Sequence, residues 1–156
     1  MPLAISRESC VLTQRSRTAQ HPSLDAMPVR YDRDDLRRLI TVTVSDPYTT
    51  ADIITVIDRQ VAENTWDYAL FYDLRSVLAK TDLKQGPLLA AHLESVAAGR
   101  RRGPVGIAIN PDTDRFLASL QYARTVAELA EIEVLVTAPQ VASWLTRHVH
   151  ESGRAM

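Results

Sequence analysis

Several side chains that could do chemistry follow directly after apolar or β-branched segments of the chain. Such a mixture of acids, bases and hydroxyl groups suits the binding of an anionic ligand or of a partner helix. Hydroxyl, amide and carboxylate side chains also cap helices and close turns, so Thr49, Asn110 and Asp112 have a competing structural interpretation. The predicted binding surface consists of Asp46, Tyr48, Thr49, Asp73, Arg75, Ser76, Lys80, Asn110 and Arg115, with Asp112 and Thr137 beside them.

Asp46, Asp73 and Lys80 invite comparison with a phosphoacceptor receiver domain, in which clustered acids hold magnesium and a lysine contacts the phosphoryl group. A receiver has a pair of acids at the end of its first strand and a lysine at the end of its last. Here the last predicted strand is followed by Thr137, Ala138 and Pro139. The pattern therefore disfavours a receiver.

Other catalytic and metal-binding patterns are missing from the sequence. The single cysteine, Cys10, cannot form an internal disulfide, and no Cys/His cluster has the spacing of a zinc site. His148 and His150 are two residues apart and point to different sides of a helix, and a lone His92 is typical of a helix edge. The chain has no nucleophile elbow and no glycine-rich phosphate loop. We therefore expect no metal, no cofactor and no catalysis.

The strongest run of charge is Arg100 to Arg102. It follows a predicted helix, and cations interact favourably with the carbonyl groups at a helix C-terminus. We expect a solvated helix end here; the alternative is a docking patch for an acidic partner.

Composition narrows the class of protein. The chain has 156 residues, 46% of them hydrophobic, with 18 basic against 19 acidic residues and a net charge of −1. This length suits one domain with one core. The balanced charge gives no reason to expect nucleic acid as a partner, and the apolar stretches are too short for a bilayer span. Cysteine usage is typical of a reducing compartment, so we expect a cytoplasmic protein, and the arginine-rich composition favours a bacterial one.

The first 26 residues contain arginines and serines without sustained periodicity. Three interpretations are open: a disordered tail, a targeting peptide, or a misassigned start with Met27 as the true first residue. We expect a domain over residues 27–150 and a short C-terminal tail over 151–156.

The candidate residues must be positioned by alternating strands and helices. Pro111 would suit the first helical position after an Asn110 cap, and a break is expected after Tyr122. The predicted elements are strands over 29–31 and 39–44, a helix entered at Thr49 and Thr50, a strand over 67–74, a helical face from Leu88 to Ala97, a strand over 105–109, a helix after Asn110 that includes Leu117, a short helix capped by Thr125, a strand over 132–136 and a helix opening at Pro139.

This order, β-β-α-β-α-β-α-β-α, predicts a single α/β domain. The first two strands form an antiparallel hairpin, and the crossovers make the rest of a four- to five-stranded sheet parallel, with helices packed on it. The apolar face of the last helix contains Val141, Trp144 and Leu145, which we expect against the sheet.

Three segments resemble the STAS-like superfamily, and within it the SpoIIAA-like group of bacterial proteins related to anti-sigma-factor antagonists. "LITVTVSDPYTT" (39–50) looks like the family's strand and threonine-marked helix entry. "ALFYDLRSV" (69–77) is similar to its central strand, and "EVLVTAPQVASWL" (133–145) to its closing strand and helix. The resemblance covers most of the chain after the first 26 residues.

The resemblance implies a non-catalytic regulatory module that docks a protein partner through the loops at the carboxyl ends of the strands. Phosphorylated members carry Asp-Ser-Gly after the central strand, whereas this chain reads Leu74-Arg75-Ser76-Val77, so the phosphorylation switch is not implied. The alternative is a small-molecule or lipid-binding domain, since the group is also compared with CRAL-TRIO lipid carriers. An enzyme of undetermined reaction is the third choice, and a homodimer stays open.

Overall fold

The computed structural model of the chain describes residues 27–149. The predicted tails over 1–26 and 151–156, and His150, lie outside the described residues. The elements are β1 (Val29–Asp34), β2 (Leu39–Ser45), α1 (Thr50–Glu63), β3 (Ala69–Ser76), α2 (Gln85–Ala97), β4 (Val105–Ala108), α3 (Thr113–Thr125), β5 (Ile132–Leu135) and α4 (Ala138–His148). The predicted α/β class and element order are confirmed.

The five strands form one sheet in the order β1-β2-β3-β4-β5. β1 pairs antiparallel with β2, and the other three pairings are parallel, with Val42 opposite Tyr72 and Tyr72 opposite Ile107. Each parallel crossover moves one strand in the same direction. Because such crossovers are right-handed, α1, α2 and α3 all lie on one face of the sheet.

The core has two parts, one on each face of the sheet. The larger part packs α1, α2 and α3 on strand residues such as Leu70 and Tyr72. The smaller part packs Trp144 of α4 on Phe71 and Leu135. Trp144 is 1% exposed, which confirms the predicted packing of the last helix against the sheet. Successive residues of β3 therefore face opposite layers, as strand geometry requires.

Two helices begin at the threonines that the sequence marks. Thr49 caps α1, accepting a hydrogen bond from the Asp52 backbone N–H at 3.2 Å while the Asp52 carboxylate accepts from the Thr49 N–H at 2.8 Å. Thr137 caps α4 through the same reciprocal pattern with Gln140. The predicted helix entry at Thr49 is confirmed, and α4 begins one residue before Pro139.

The start of α3 differs from the prediction. Asp112 caps the helix, accepting from the backbone N–H of Arg115 at 3.2 Å, so the expected Asn110 cap is wrong. The Asn110 side chain instead donates to the backbone carbonyl of Arg75 on the neighbouring strand. That bond links the ends of β4 and β3.

The break predicted after Tyr122 is wrong in position, because α3 continues to Thr125. No second short helix follows within residues 126–131, and the chain forms turns over 126–129. Thr125 does not cap a new helix, because its hydroxyl donates to the carbonyl of Gln121 within α3 at 2.8 Å. None of the helices in the described part of the chain is long and apolar enough to cross a membrane.

Candidate functional site

The carboxyl ends of β2, β3 and β4 meet at one edge of the sheet, because these strands are parallel. We call this region the carboxyl edge and define it as residues 45–50, 73–89 and 109–122. All nine predicted site residues belong to it. Their side chains, however, have different tasks and lie on both faces of the sheet.

The side chains of Asp46 and Tyr48 form hydrogen bonds to residues of neighbouring segments. The Asp46 carboxylate accepts hydrogen bonds from the backbone N–H groups of Leu78 at 2.6 Å and Ala79 at 3.1 Å. The Tyr48 hydroxyl donates to Oε1 of Gln85, the first residue of α2, at 3.1 Å. These two side chains, like the helix cap Thr49, hold the edge in shape.

Asp73 and Arg75 form an ion pair on the face that carries α4. Nε and Nη2 of Arg75 each donate to an oxygen of Asp73 at 2.9 Å, and the Arg75 backbone N–H donates to Asp73 Oδ1 at 3.1 Å. The guanidinium lowers the pKa of the Asp73 carboxyl, and the carboxylate raises the pKa of Arg75. The charge of Arg75 is thus already paired within the chain.

Ser76 and Lys80 are exposed, and their side chains make no hydrogen bond to another described residue. Both belong to the segment from the end of β3 to the start of α2. A serine hydroxyl and a lysine ammonium at this position are accessible to a partner.

Arg115 lies inside the protein and not on the predicted surface. It is 6% exposed and lines a cavity of about 90 Å³ among the sheet, α1, α2 and α3. Its Nη2 donates to the carbonyl oxygen of Ala79 at 2.6 Å. No carboxylate oxygen among residues 27–149 lies within 4.0 Å of its guanidinium nitrogens.

Tyr122 lines the same cavity and was missed by the sequence interpretation. Burial raises the pKa of its phenol to about 12, so the hydroxyl stays protonated at neutral pH. Helical spacing could have found it, because Arg115, Ala118, Ser119 and Tyr122 follow the pattern i, i+3, i+4, i+7 of one helix face.

The arginine run at the other edge of the sheet is only partly solvated. Arg100 and Arg101 are exposed, as expected, but Arg102 is 4% exposed, and the solvated interpretation is wrong for it. Nε of Arg102 donates to Oε1 of the fully buried Gln60 at 2.8 Å, and its guanidinium carbon lies 5.2 Å from the centre of the Trp66 ring. These contacts make Arg102 a core residue.

Four leucines are strongly exposed at the carboxyl edge. They are part of a group of seven large hydrophobic residues exposed within the described residues. The predicted apolar face of α2 includes Leu88, Leu89 and Leu93; Leu89 and Leu93 pack in the core as predicted, whereas Leu88 is exposed. The four are Leu78 (84% exposed), Leu83 (70%), Leu88 (57%) and Leu117 (56%).

No group of three or more His, Cys, Asp or Glu side chains within residues 27–149 is arranged to hold a metal ion. His92 occupies a helix position, and its Nε2 lies 2.6 Å from Oδ1 of Asp58. Comparison with protein-family models, with curated proteins and with solved structures gave no match.

Proposed function

We propose that this chain is a non-catalytic, STAS-like regulatory module that docks a protein partner through its carboxyl edge. The observation that carries the proposal is the concentration there of Leu78, Leu83, Leu88 and Leu117. Single exposed leucines are ordinary, whereas apolar side chains gathered at one place on a surface mark interaction sites.

The segments that carry these leucines belong to one place in the fold. Thr81, Asp82, Leu89 and Ala118 all line the cavity at this edge, and each adjoins or lies within three residues of an exposed leucine. The four leucines therefore belong to segments that line one cavity. A partner that covered them would remove apolar surface from water, which is favourable in proportion to the area buried.

Charge indicates the chemistry of the partner. Lys80 and Lys84 are the only lysines of the chain, and both are exposed beside Leu78 and Leu83. Neither side chain makes a salt bridge or hydrogen bond within the described residues. Asp82 and Asp114 are exposed near Leu83 and Leu117, so the best fit is a partner segment that combines apolar side chains with charges of both signs, because complementary charge speeds association and fixes orientation.

The element order and the buried Trp144 of α4 support the STAS-like assignment, and we retain a bacterial cytoplasmic setting as part of the proposal. Ser76 is not part of an Asp-Ser-Gly motif, so the proposal includes no phosphorylation switch.

The lipid alternative has less support, since the cavity of about 90 Å³ is smaller than the roughly 300–1,000 Å³ of typical ligand pockets.

The test is affinity capture with the full chain from a lysate of the organism that encodes it. Three proteins are compared: wild type, Leu78→Ser/Leu83→Ser, and Leu36→Ser. Leu36 is a matched control, because it is 75% exposed but lies in the turn between β1 and β2, at the opposite edge of the sheet.

We expect one discrete partner to be retained by wild type and by Leu36→Ser, and to be lost from the double variant. Equal retention by all three proteins would contradict docking at the carboxyl edge. Recovery of only a second copy of this chain, with the same dependence on Leu78 and Leu83, would replace the proposed partner by a homodimer.

A further inference from the structure

We propose that the cavity around Arg115 is a binding site for a small monocarboxylate. The site does not depend on the partner-docking function, because none of the four exposed leucines lines the cavity. Its argument rests on the charge, the donors and the size of the cavity.

Arg115 supplies the positive charge of the proposed site. Arginine stays protonated in proteins. Arg115 is 6% exposed, and its guanidinium makes a single hydrogen bond among the described residues, to the Ala79 carbonyl, so its other N–H groups are left for solvent or for a ligand that enters the cavity. A planar guanidinium with N–H groups to spare matches a carboxylate in shape and charge.

Two further features of the cavity favour an anion. The Thr81 side-chain oxygen is buried and has no hydrogen-bond partner in the described chain, so its hydroxyl is available as a donor. The first two residues of α2, Gln85 and Gly86, also line the cavity, and the residue before them, Lys84, provides no side-chain cap. The positive end of the α2 dipole therefore lies at the cavity, where the Asp82 carboxylate accepts from the backbone N–H of Lys84.

The walls and the volume limit the ligand. Ile53, Leu74, Leu89, Ile107 and Ala118 make most of the lining apolar. The cavity of about 90 Å³ is open to solvent on one side, so a small ligand could enter it from outside. A carboxylate with a short aliphatic chain fits this combination, with its charged end on Arg115 and its chain against the apolar wall.

Asp82 argues for a single negative charge. It also lines the cavity, with one carboxylate oxygen accepting from the backbone N–H of Lys84 at 3.0 Å, and it lies beyond 4.0 Å from the Arg115 guanidinium. A doubly charged phosphate would be repelled by this carboxylate more strongly than a monocarboxylate. Phosphate is therefore the comparison ligand in the test.

The experiment is a titration of the full chain followed by backbone amide NMR. The probes are butyrate, n-butanol, butylammonium and inorganic phosphate, at constant pH and ionic strength. Butyrate should give saturable shifts that are largest at Gly86, Ala118 and Ser119, and the other three probes should give none of that size. Equal shifts with n-butanol, preferential shifts with phosphate, or no saturable shifts at these amides would overturn the proposal.

Variants of Arg115 distinguish the effect of its positive charge on binding from an effect on folding. Arg115→Gln should weaken butyrate binding at least tenfold, and Arg115→Lys should retain part of the affinity because it keeps the charge. Arg124→Gln removes one positive charge from the exposed end of α3 and should bind butyrate like wild type. If Arg115→Gln does not fold, the wild-type shifts decide alone.

Leu78→Ser/Leu83→Ser distinguishes this site from partner docking. It should bind butyrate like wild type whether or not it retains a protein partner. Loss of butyrate binding in this variant, with Arg115→Gln unaffected, would contradict the cavity site.

Discussion

The carboxylate of Asp46 accepts a hydrogen bond from the backbone N–H of Leu78 at 2.6 Å. Asp46 follows β2, and Leu78 follows β3, so this bond joins the ends of two neighbouring strands. It also fixes the backbone position of Leu78, whose side chain is 84% exposed. A partner that recognises Leu78 would therefore meet a preformed loop, and preformed loops lose less entropy on binding.

Replacement of Asp46 by alanine should loosen this loop and leave the sheet intact. The backbone N–H groups of Leu78 and Ala79 lose their hydrogen bonds to the Asp46 carboxylate. Their amide hydrogens should therefore exchange roughly tenfold faster, which corresponds to a decrease of ~1.4 kcal/mol in the free energy of local opening. Partner capture should weaken in parallel. Asp32→Asn, which changes an exposed carboxylate on β1, is the control, and unchanged exchange at residues 78 and 79 in Asp46→Ala would refute this role.

Trp144→Ala should lower the free energy of unfolding by roughly 3–5 kcal/mol, because it leaves a large cavity in the core. Gly106→Ala should also destabilise, because a Cβ atom at that position would come 2.8 Å from the Trp144 ring. In the double variant the clash with the Trp144 ring disappears. The double variant should therefore lose less free energy of unfolding than the two single variants together. Denaturant unfolding of the four proteins measures this, and strict additivity would show that the two positions are not in contact.

Gln60→Leu should destabilise by roughly 3 kcal/mol, since it leaves the buried guanidinium of Arg102 without an acceptor. Gln60→Leu combined with Arg102→Met removes both polar groups and should be more stable than Gln60→Leu alone. Arg101→Ala, at the exposed neighbour, should change stability by no more than ~0.5 kcal/mol. A double variant less stable than Gln60→Leu would contradict the assignment of Arg102 to the core.

The phenol of Tyr122 should ionise in the folded protein only near pH 12, because burial raises its pKa to about 12. The folded pKa is higher than that of an unfolded tyrosine, about 10, so the folded state holds this proton more tightly. The resulting stability is fully present below about pH 10 and is lost as pH rises through the folded pKa. The pKa values of Tyr31 and Tyr68 are also raised, so the late part of a tyrosinate absorbance titration should lose the amplitude of one tyrosine in Tyr122→Phe and keep the rest. An unchanged late amplitude in Tyr122→Phe would contradict the assignment.

The fold was predictable because local chemistry and pattern agree along most of the chain. Thr49 with Asp52, the apolar run that becomes β3, and the helical spacing around Trp144 each specify an element without help from distant residues. The α3 entry was not predictable in the same way. Asn110 and Asp112 are both good cap residues, and only the contact of Asn110 with the neighbouring strand decides between them.

The location of the candidate site could be predicted from the sequence, but the contacts made by its individual side chains could not. Parallel strands bring their carboxyl ends together, so the edge follows from the element order. Whether Arg115 is buried and whether Leu88 faces water depend on how the helices rotate against the sheet. The pairing of Arg75 with Asp73 depends on the side-chain conformations of two residues of β3. The burial of Arg102 depends likewise on Gln60, a residue 42 positions away in the chain.

The central claim is that a protein partner contacts the carboxyl edge, and site-specific photo-crosslinking tests it most directly. A photoreactive amino acid is placed at position 78 or 83 of the full chain, or at position 36 as the exposed control at the opposite edge. After irradiation of living cells of the encoding organism, positions 78 and 83 should give the same discrete adduct and position 36 should not. A discrete adduct from position 36 alone, or no adduct from positions 78 and 83, would contradict the proposed docking surface.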